Sequence, residues 1–266
     1  MYKGFNLTDL KFNGSIEELI KKGSDVCSET STSIRASLQS FLGADALDGS
    51  KLQEHWFPKI AADVFISHSH ADQELAFALA GWLSETFQLK PFIDSAVWGY
   101  SDELLKAIDG EYCWDKIRQV YRYEDRNKST SHVHMMLSTA LGQMIDSTEC
   151  LIFLNTPKSI TTKGAMDKTH SPWLLAEIVM ATTMRREIPR RFQKAAHLHE
   201  DFSAKGGMKK EASLKIEYKV DLSPFATITN NTLIQWKNKN GKGTQALDNL
   251  YQITEPQPNL PRPIHG

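Results

Sequence analysis

The stretch Ala62-Asp63-Val64-Phe65-Ile66-Ser67-His68-Ser69-His70-Ala71-Asp72 limits what this chain can fold into more than any other. A short, mostly apolar run from Asp63 to Ser67 is closed by a turn of Ser and His. An amphipathic helix follows within a few residues. That order predicts the first βα unit of a parallel sheet. In open α/β sheets ligands are met at the carboxyl ends of the strands, so Ser67, His68 and Ser69 are predicted to face one. Ser69 and Asp72 also have N-cap and N3 spacing; Ser69 can cap the helix, touch a ligand, or do both.

The pattern continues in the same style along the chain. Residues 71–87 predict a helix with Leu75, Leu79, Trp82 and Leu83 as its apolar stripe. Lys90-Pro91-Phe92-Ile93-Asp94 reads as a second, shorter strand, with residues 95–101 as its exit loop. A helix starts near Asp102. Residues 110–130 are polar, aromatic and aperiodic, which suits an insertion. From 130 to 146 the spacing is helical, with Val133, Leu137, Ala140, Leu141, Met144 and Ile145 on one face. Glu149-Cys150-Leu151-Ile152-Phe153-Leu154-Asn155 predicts a strand buried on both faces, and its exit, residues 156–170, is long. Ser171-Pro172 then starts a helix with Ser at the N-cap and Pro at N1. Residues 187–212 show no readable pattern, and residues 215–220 alternate as a strand does. Residues 1–58 read as a helical extension, with Ser15 and Glu18 in capping-box spacing and a second helix over 32–42. The division is therefore an extension over 1–58, one domain over 59–254 and a Pro-rich, extended tail over 255–266.

Charge narrows the partners. Lys plus Arg total 31 against 32 Asp plus Glu, a net charge of −1. Such a balance gives no electrostatic reason to expect nucleic acid or an anionic membrane. The three cysteines are widely spaced and odd in number, which suits reduced thiols in the cytoplasm. No stretch has the length and apolarity of a membrane span or a signal core.

Three separated segments, in order, resemble the Toll/interleukin-1 receptor (TIR) domain family, particularly its bacterial members. Asp63-Val64-Phe65-Ile66-Ser67-His68 is similar to the family's first box. Phe92-Ile93-Asp94 with the loop 95–101 resembles the second strand and its BB loop. Ser171-Pro172-Trp173-Leu174-Leu175-Ala176-Glu177-Ile178 is similar to the Ser-x-Trp-x-x-x-Glu-Leu pattern of the third main helix. The resemblance implies an α/β fold, an open parallel sheet of flavodoxin-like strand order with helices on both faces. The chain departs from the family in the long segments 110–130 and 186–214, and in Val97-Trp98-Gly99 where many receptor domains carry an Arg/Pro-Gly sequence.

In enzymatic TIR domains the Glu of the third box cleaves NAD+, and the matching residue is Glu177. The resemblance implies hydrolysis, cyclisation or ADP-ribose transfer at the nicotinamide–ribose bond, in bacterial antiphage signalling. NAD+ would be substrate, with no separate cofactor. It further implies a homo-oligomer through the BB loop and a downstream effector that senses the product. Substrate contacts would come from Ser67, His68, Ser69, Asp94, Ser95, Trp98 and Trp173. Trp173 precedes Glu177 by four residues, so both share a helical face. Taken without the family, Glu177 is a solvated helix residue and Trp173 a core residue. Trp98 is either an interface anchor or a satellite of its own core. Two other function classes stay open: a non-catalytic TIR scaffold and a related nucleoside- or nucleotide-processing transferase. The pairs His68/His70, His132/His134 and His197/His199 lack the further donors that zinc needs, so no metal site is expected.

Overall fold

The computed structural model describes residues 1–12, 14–30, 38–41, 46–98, 101–163, 166–192 and 217–255. Five strands form the central sheet: β1 (Lys3–Leu7), β2 (Val64–Ser67), β3 (Pro91–Phe92), β4 (Cys150–Leu154) and β5 (Ala226–Ile228). They run in the order β5-β1-β4-β2-β3, and every pairing is parallel. β2 and β4 are buried along their whole length. Continuous apolar runs such as Val64-Phe65-Ile66 and Cys150-Leu151-Ile152-Phe153-Leu154 are what a sheet covered on both faces requires. Pro91 cannot donate to a ladder, and it lies on the edge strand β3, where the missing N–H is tolerated.

Eight helices of two turns or more surround the sheet among the described residues: α1 (Ile16–Thr30), α2 (Gly49–Trp56), α3 (Gln73–Phe87), α4 (Ser101–Ile108), α5 (Tyr123–Ser147), α6 (Pro172–Thr183), α7 (Asn230–Asn238) and α8 (Thr244–Thr254). The crossovers β1 to β2 and β2 to β3 run one way across the sheet. Those from β3 to β4 and from β4 to β5 run the other way. Right-handed connections therefore place α1 and α3 on one face and α5 and α6 on the opposite face. The packing agrees: α1 lies on α3, and α5 on α6. Counted from β2, the sheet has the flavodoxin-like order, with β1 in the fourth position.

That position corrects one expectation. Residues 1–58, predicted as a helical extension, begin with a strand inserted between β4 and β5. Lys3-Gly4-Phe5-Asn6-Leu7 has weak strand character of its own. Its neighbours on both sides supply the ladder, and Phe5 and Leu7 supply the buried side chains. The helix predicted over 32–42 falls mostly outside the described residues, apart from a 3₁₀ turn at Leu38–Phe41. The helix predicted from 130 already begins at Tyr123, after a π turn at Asp109–Cys113 and a hairpin of Trp114–Asp115 with Val120–Tyr121. Of the alternating segment 215–220, Tyr218–Lys219 pairs antiparallel with Met166–Thr169 and lies outside the central sheet. The Pro-rich tail beyond residue 255 and most of 187–212 lie outside the described residues.

At two helix starts a side chain caps the backbone, and of these Ser171 is the one that the sequence signals. Ser171 Oγ accepts from the Leu174 N–H at 3.2 Å, and Asp48 Oδ1 accepts from the Ser50 and Lys51 N–H groups at 3.1 Å each. α1 and α3 cross at two glycines. A Cβ on Gly81 would lie 2.1 Å from the Leu19 carbonyl oxygen, and one on Gly23 would lie 1.9 Å from that of Phe77. Backbone leaves no side chain to yield. Gly81→Ala is therefore expected to destabilise by at least ~1–3 kcal/mol, the usual cost of overpacking. Gly142 in α5 is the control: its Cβ would meet only flexible side-chain ends, the Met184 methyl at 3.5 Å and the Met180 sulfur at 3.8 Å, so Gly142→Ala should be neutral or gain ~0.5–1 kcal/mol. Denaturant melts of both variants read the difference directly.

Candidate functional site

From β2 the chain leaves toward β3 and later returns to β4 on the other side. The carboxyl ends of β2 and β4 therefore flank the crevice where such sheets bind ligands. Ser67, the last residue of β2, and Glu177, in the middle of α6, meet there. Ser67 Oγ donates to Glu177 Oε2 at 2.5 Å, and Glu177 is only 3% exposed. The Ser171 cap and Pro172 fix where α6 starts, and hence which residue of it points at the strand end.

A cavity of about 140 Å³ opens beside this pair, lined by His68, His70, Asp94, Ser95, Trp98, Ser101, Leu137, Ser171, Trp173, Leu174 and Glu177. Two carboxyls and two indoles therefore share its wall, and among the described residues no Lys or Arg does. Burial pushes Glu177 well above the ordinary carboxyl range, the Asp94 charge pushes the same way, and the Ser67 hydrogen bond opposes both. Burial likewise lowers His68 below the ordinary imidazole value, against the pull of Asp94 and the Ile66 carbonyl. Its Nδ1 is buried without a hydrogen-bond partner, as is Ser95 Oγ. The pocket thus holds a carboxyl and an imidazole that burial pushes toward their neutral forms, and two polar atoms short of a partner. Polar atoms left this way are costly unless a ligand or water meets them.

Of the residues singled out from the sequence, Glu177, Ser67, His68, Asp94, Ser95, Trp98 and Trp173 come together here. Ser69 does not line the cavity. Its hydroxyl donates to Asp72 Oδ2 at 2.6 Å, as does Thr156 Oγ1 from the exit of β4, also at 2.6 Å. Ser69 makes no capping bond to the helix backbone either. Asp72 instead ties the β2–α3 corner to the exit of β4, beneath the crevice.

Trp98 settles between its two readings. It is 4% exposed, its Nε1 donates to the Pro58 carbonyl at 2.9 Å, and its ring stands edge-on to Phe57 and Phe92. It is a satellite of its own core that shows part of its surface to the cavity, and it is not an exposed interface anchor. Gly99 and Tyr100, in the same loop, lie outside the described residues. Trp173 is half-buried and meets His134 of α5 edge-to-face at 5.3 Å. It is both packed and cavity-lining.

Leu137 and His134 were not read as site residues. Leu137 belongs to the apolar stripe of α5, and nothing local distinguishes a stripe residue that ends at a cavity from one that ends in the core. Among the described residues no three His, Cys, Asp or Glu side chains converge as a metal would need. No helix among them is long and apolar enough to cross a membrane. No known protein family, curated protein or solved structure matches the chain.

Two stability outcomes follow. Removing Trp98 (Trp98→Ala) is expected to cost ~3–5 kcal/mol, as for a large buried aromatic, in a thermal or denaturant melt. Glu177 gives a pH signature. In acid the folded and unfolded carboxyls are both protonated, and burial carries no ionisation penalty. As pH rises through the unfolded value near 4.5, the unfolded carboxyl ionises before the raised folded one. Native stability is therefore lost with rising pH. Glu177→Gln keeps the shape and removes this penalty. Its melting temperature should exceed that of the wild type by a margin that grows as pH rises above the unfolded value near 4.5.

Proposed function

We propose that the chain is a TIR-type enzyme that cleaves the nicotinamide–ribose bond of NAD+. One observation carries the reading: a carboxyl, Glu177, is buried at the carboxyl end of a parallel strand, beside a second carboxyl and with no Lys or Arg on the cavity wall among the described residues. A scaffold gains nothing from such a group, which costs stability. A site for a cationic ring gains both charge and contact from it.

The size of the cavity supports one ring entering it. A dry cavity of about 150 Å³ takes a benzene, so a space of similar volume suits the nicotinamide ring, with the rest of the dinucleotide in the open crevice. The pyridinium would lie among the Trp98 and Trp173 indoles and the Asp94 carboxylate, which attract a flat cation. Its charge would also draw Glu177 to the ionised form, since an opposite charge nearby lowers a carboxyl pKa.

Bond cleavage then needs no acid. The C–N electron pair leaves with nicotinamide, which departs neutral, while positive charge develops on the ribose as an oxocarbenium. The Glu177 carboxylate stabilises that charge, and the Ser67 hydroxyl holds the carboxylate in place. Water, an internal hydroxyl or a nitrogen of the same substrate, or another acceptor then attacks the anomeric carbon. That last step decides between hydrolysis, cyclisation and transfer. Antiphage signalling, and an effector that senses the product, are part of the same proposal.

The test is incubation of the purified chain with NAD+ and with a panel of nucleosides and nucleotides, reading products by mass spectrometry. Nicotinamide release from NAD+ is expected, and Glu177→Gln should lower it about a hundred- to a thousand-fold. Cleavage of another nucleoside in preference to NAD+ would shift the reading to a transferase. A folded Glu177→Gln protein that turns over at the wild-type rate would remove Glu177 from the chemistry. Trp173→Ala should impair turnover while lowering the melting temperature less than Trp98→Ala does, because Trp173 is only half-buried. Where activity requires the carboxylate, it falls as pH drops through the raised Glu177 value.

A further inference from the structure

Ten large apolar side chains are exposed among the described residues, and five of them fall between residues 112 and 123: Tyr112, Ile117, Val120, Tyr121 and Tyr123. Ile117, at the hairpin tip, is 94% exposed, and Tyr123 is 78% exposed. This is a built element. Asp115 Oδ1 accepts from the Ile117 and Arg118 N–H groups at 2.9 and 3.0 Å, and Gln119 takes the left-handed conformation that closes the turn. Buried Asp109 anchors its base, accepting from Ser129 Oγ at 2.5 Å and Arg126 Nε at 2.8 Å. A fixed turn that holds an isoleucine out in water, between Lys116 and Arg118, gains nothing for the fold. It suits an apolar pocket with an acidic rim.

The same molecule carries one. A groove of about 720 Å³ runs between α1 and the start of α3. Ile16, Ile20 and Leu75 supply its apolar surface, and Glu17, Asp25 and Glu74 stand on its rim against Lys21. Its other cation, Lys158, is engaged with the Ala71 carbonyl and Asp72. The groove belongs to the α1/α3 face of the sheet, whereas the hairpin leads into α5 on the opposite face. A chain cannot fill its own groove from there.

We propose that the 114–121 hairpin of one copy docks in the α1/α3 groove of the next, giving head-to-tail assembly. Ile117 enters the apolar floor, and Lys116 and Arg118 face Glu17, Asp25 and Glu74. Hairpin and groove are different surfaces, so the contact is heterologous and builds rows or closed rings. The groove borders Ala71, one residue beyond the cavity-lining His70, and α5 carries the occupied hairpin of its own chain down to Leu137. Assembly thus touches elements on either side of the candidate site.

Sedimentation velocity on the full chain over a range of concentrations tests this. The wild type is expected to show a sedimentation coefficient that rises with concentration, and added salt should weaken the rise. Ile117→Asp should hold the monomer value with an unchanged melting temperature. Lys116→Glu/Arg118→Glu and Glu17→Lys/Glu74→Lys should each stay monomeric alone, since like charges then meet. Mixed together they should associate again, because each hairpin now finds an opposite groove. A wild type that is monomeric throughout, an Ile117→Asp variant that assembles as the wild type does, or a mixture that stays monomeric would each overturn the proposal.

Discussion

The hydrogen bond from Ser67 to Glu177 joins the end of the central strand β2 to the middle of α6. The geometry of the candidate site depends on it. Ser67 is reached only because β2 is paired on both sides, by β3 and β4. Glu177 is reached only because Ser171 and Pro172 start α6 at a defined residue. Burial makes the bond consequential. In water this carboxyl would be an ordinary surface group, but at the strand end burial pushes it toward its neutral form. The Trp98 and Trp173 indoles and Asp94 share the cavity wall with it, and in the proposed reaction they act on the charge of the same ring. On the proposed function, stability lost at Glu177 is the cost of a site whose electrostatics are set before the substrate arrives.

Much of this was legible in the sequence, and the reasons are local. β2, β4 and the start of α6 were readable because apolar runs and a Ser-Pro cap carry their signal within a few residues. β1 was not. Gly4 and Asn6 weaken its own propensity, and only pairing with β4 and β5, far along the chain, makes it a strand. β5 is three residues long and gives no periodicity to read. The strand order, and with it the role of the amino-terminal residues, lies in such pairings.

The site shows the same division. The family resemblance of the Ser-x-Trp-x-x-x-Glu segment pointed to Glu177, which spacing alone reads as a solvated helix residue, and the strand-exit rule pointed to Ser67 and His68. Their meeting spans 110 residues and is invisible to spacing. Ser69 has a partner of its own in Asp72, whose second donor, Thr156, comes from the distant exit of β4. Trp98 was ambiguous because a Trp beside Gly suits a mobile loop and a core satellite equally. The Pro58 carbonyl, forty residues away, decides between them. The exposed hairpin at 114–121 read only as an aperiodic insertion, since its Ile and Tyr residues follow no helical or strand period.

The central claim is that a pyridinium entering the pocket draws Glu177, whose pKa burial raises, toward its ionised form. The most direct measurement is calorimetric binding of a non-hydrolysable carbocyclic analogue of NAD+ near neutral pH, in buffers of different ionisation enthalpy. The buffer dependence counts protons exchanged on binding. The wild type should release protons on binding, and Glu177→Gln should release none. Binding with no proton released by the wild type, or with equal release by the Gln variant, would contradict it.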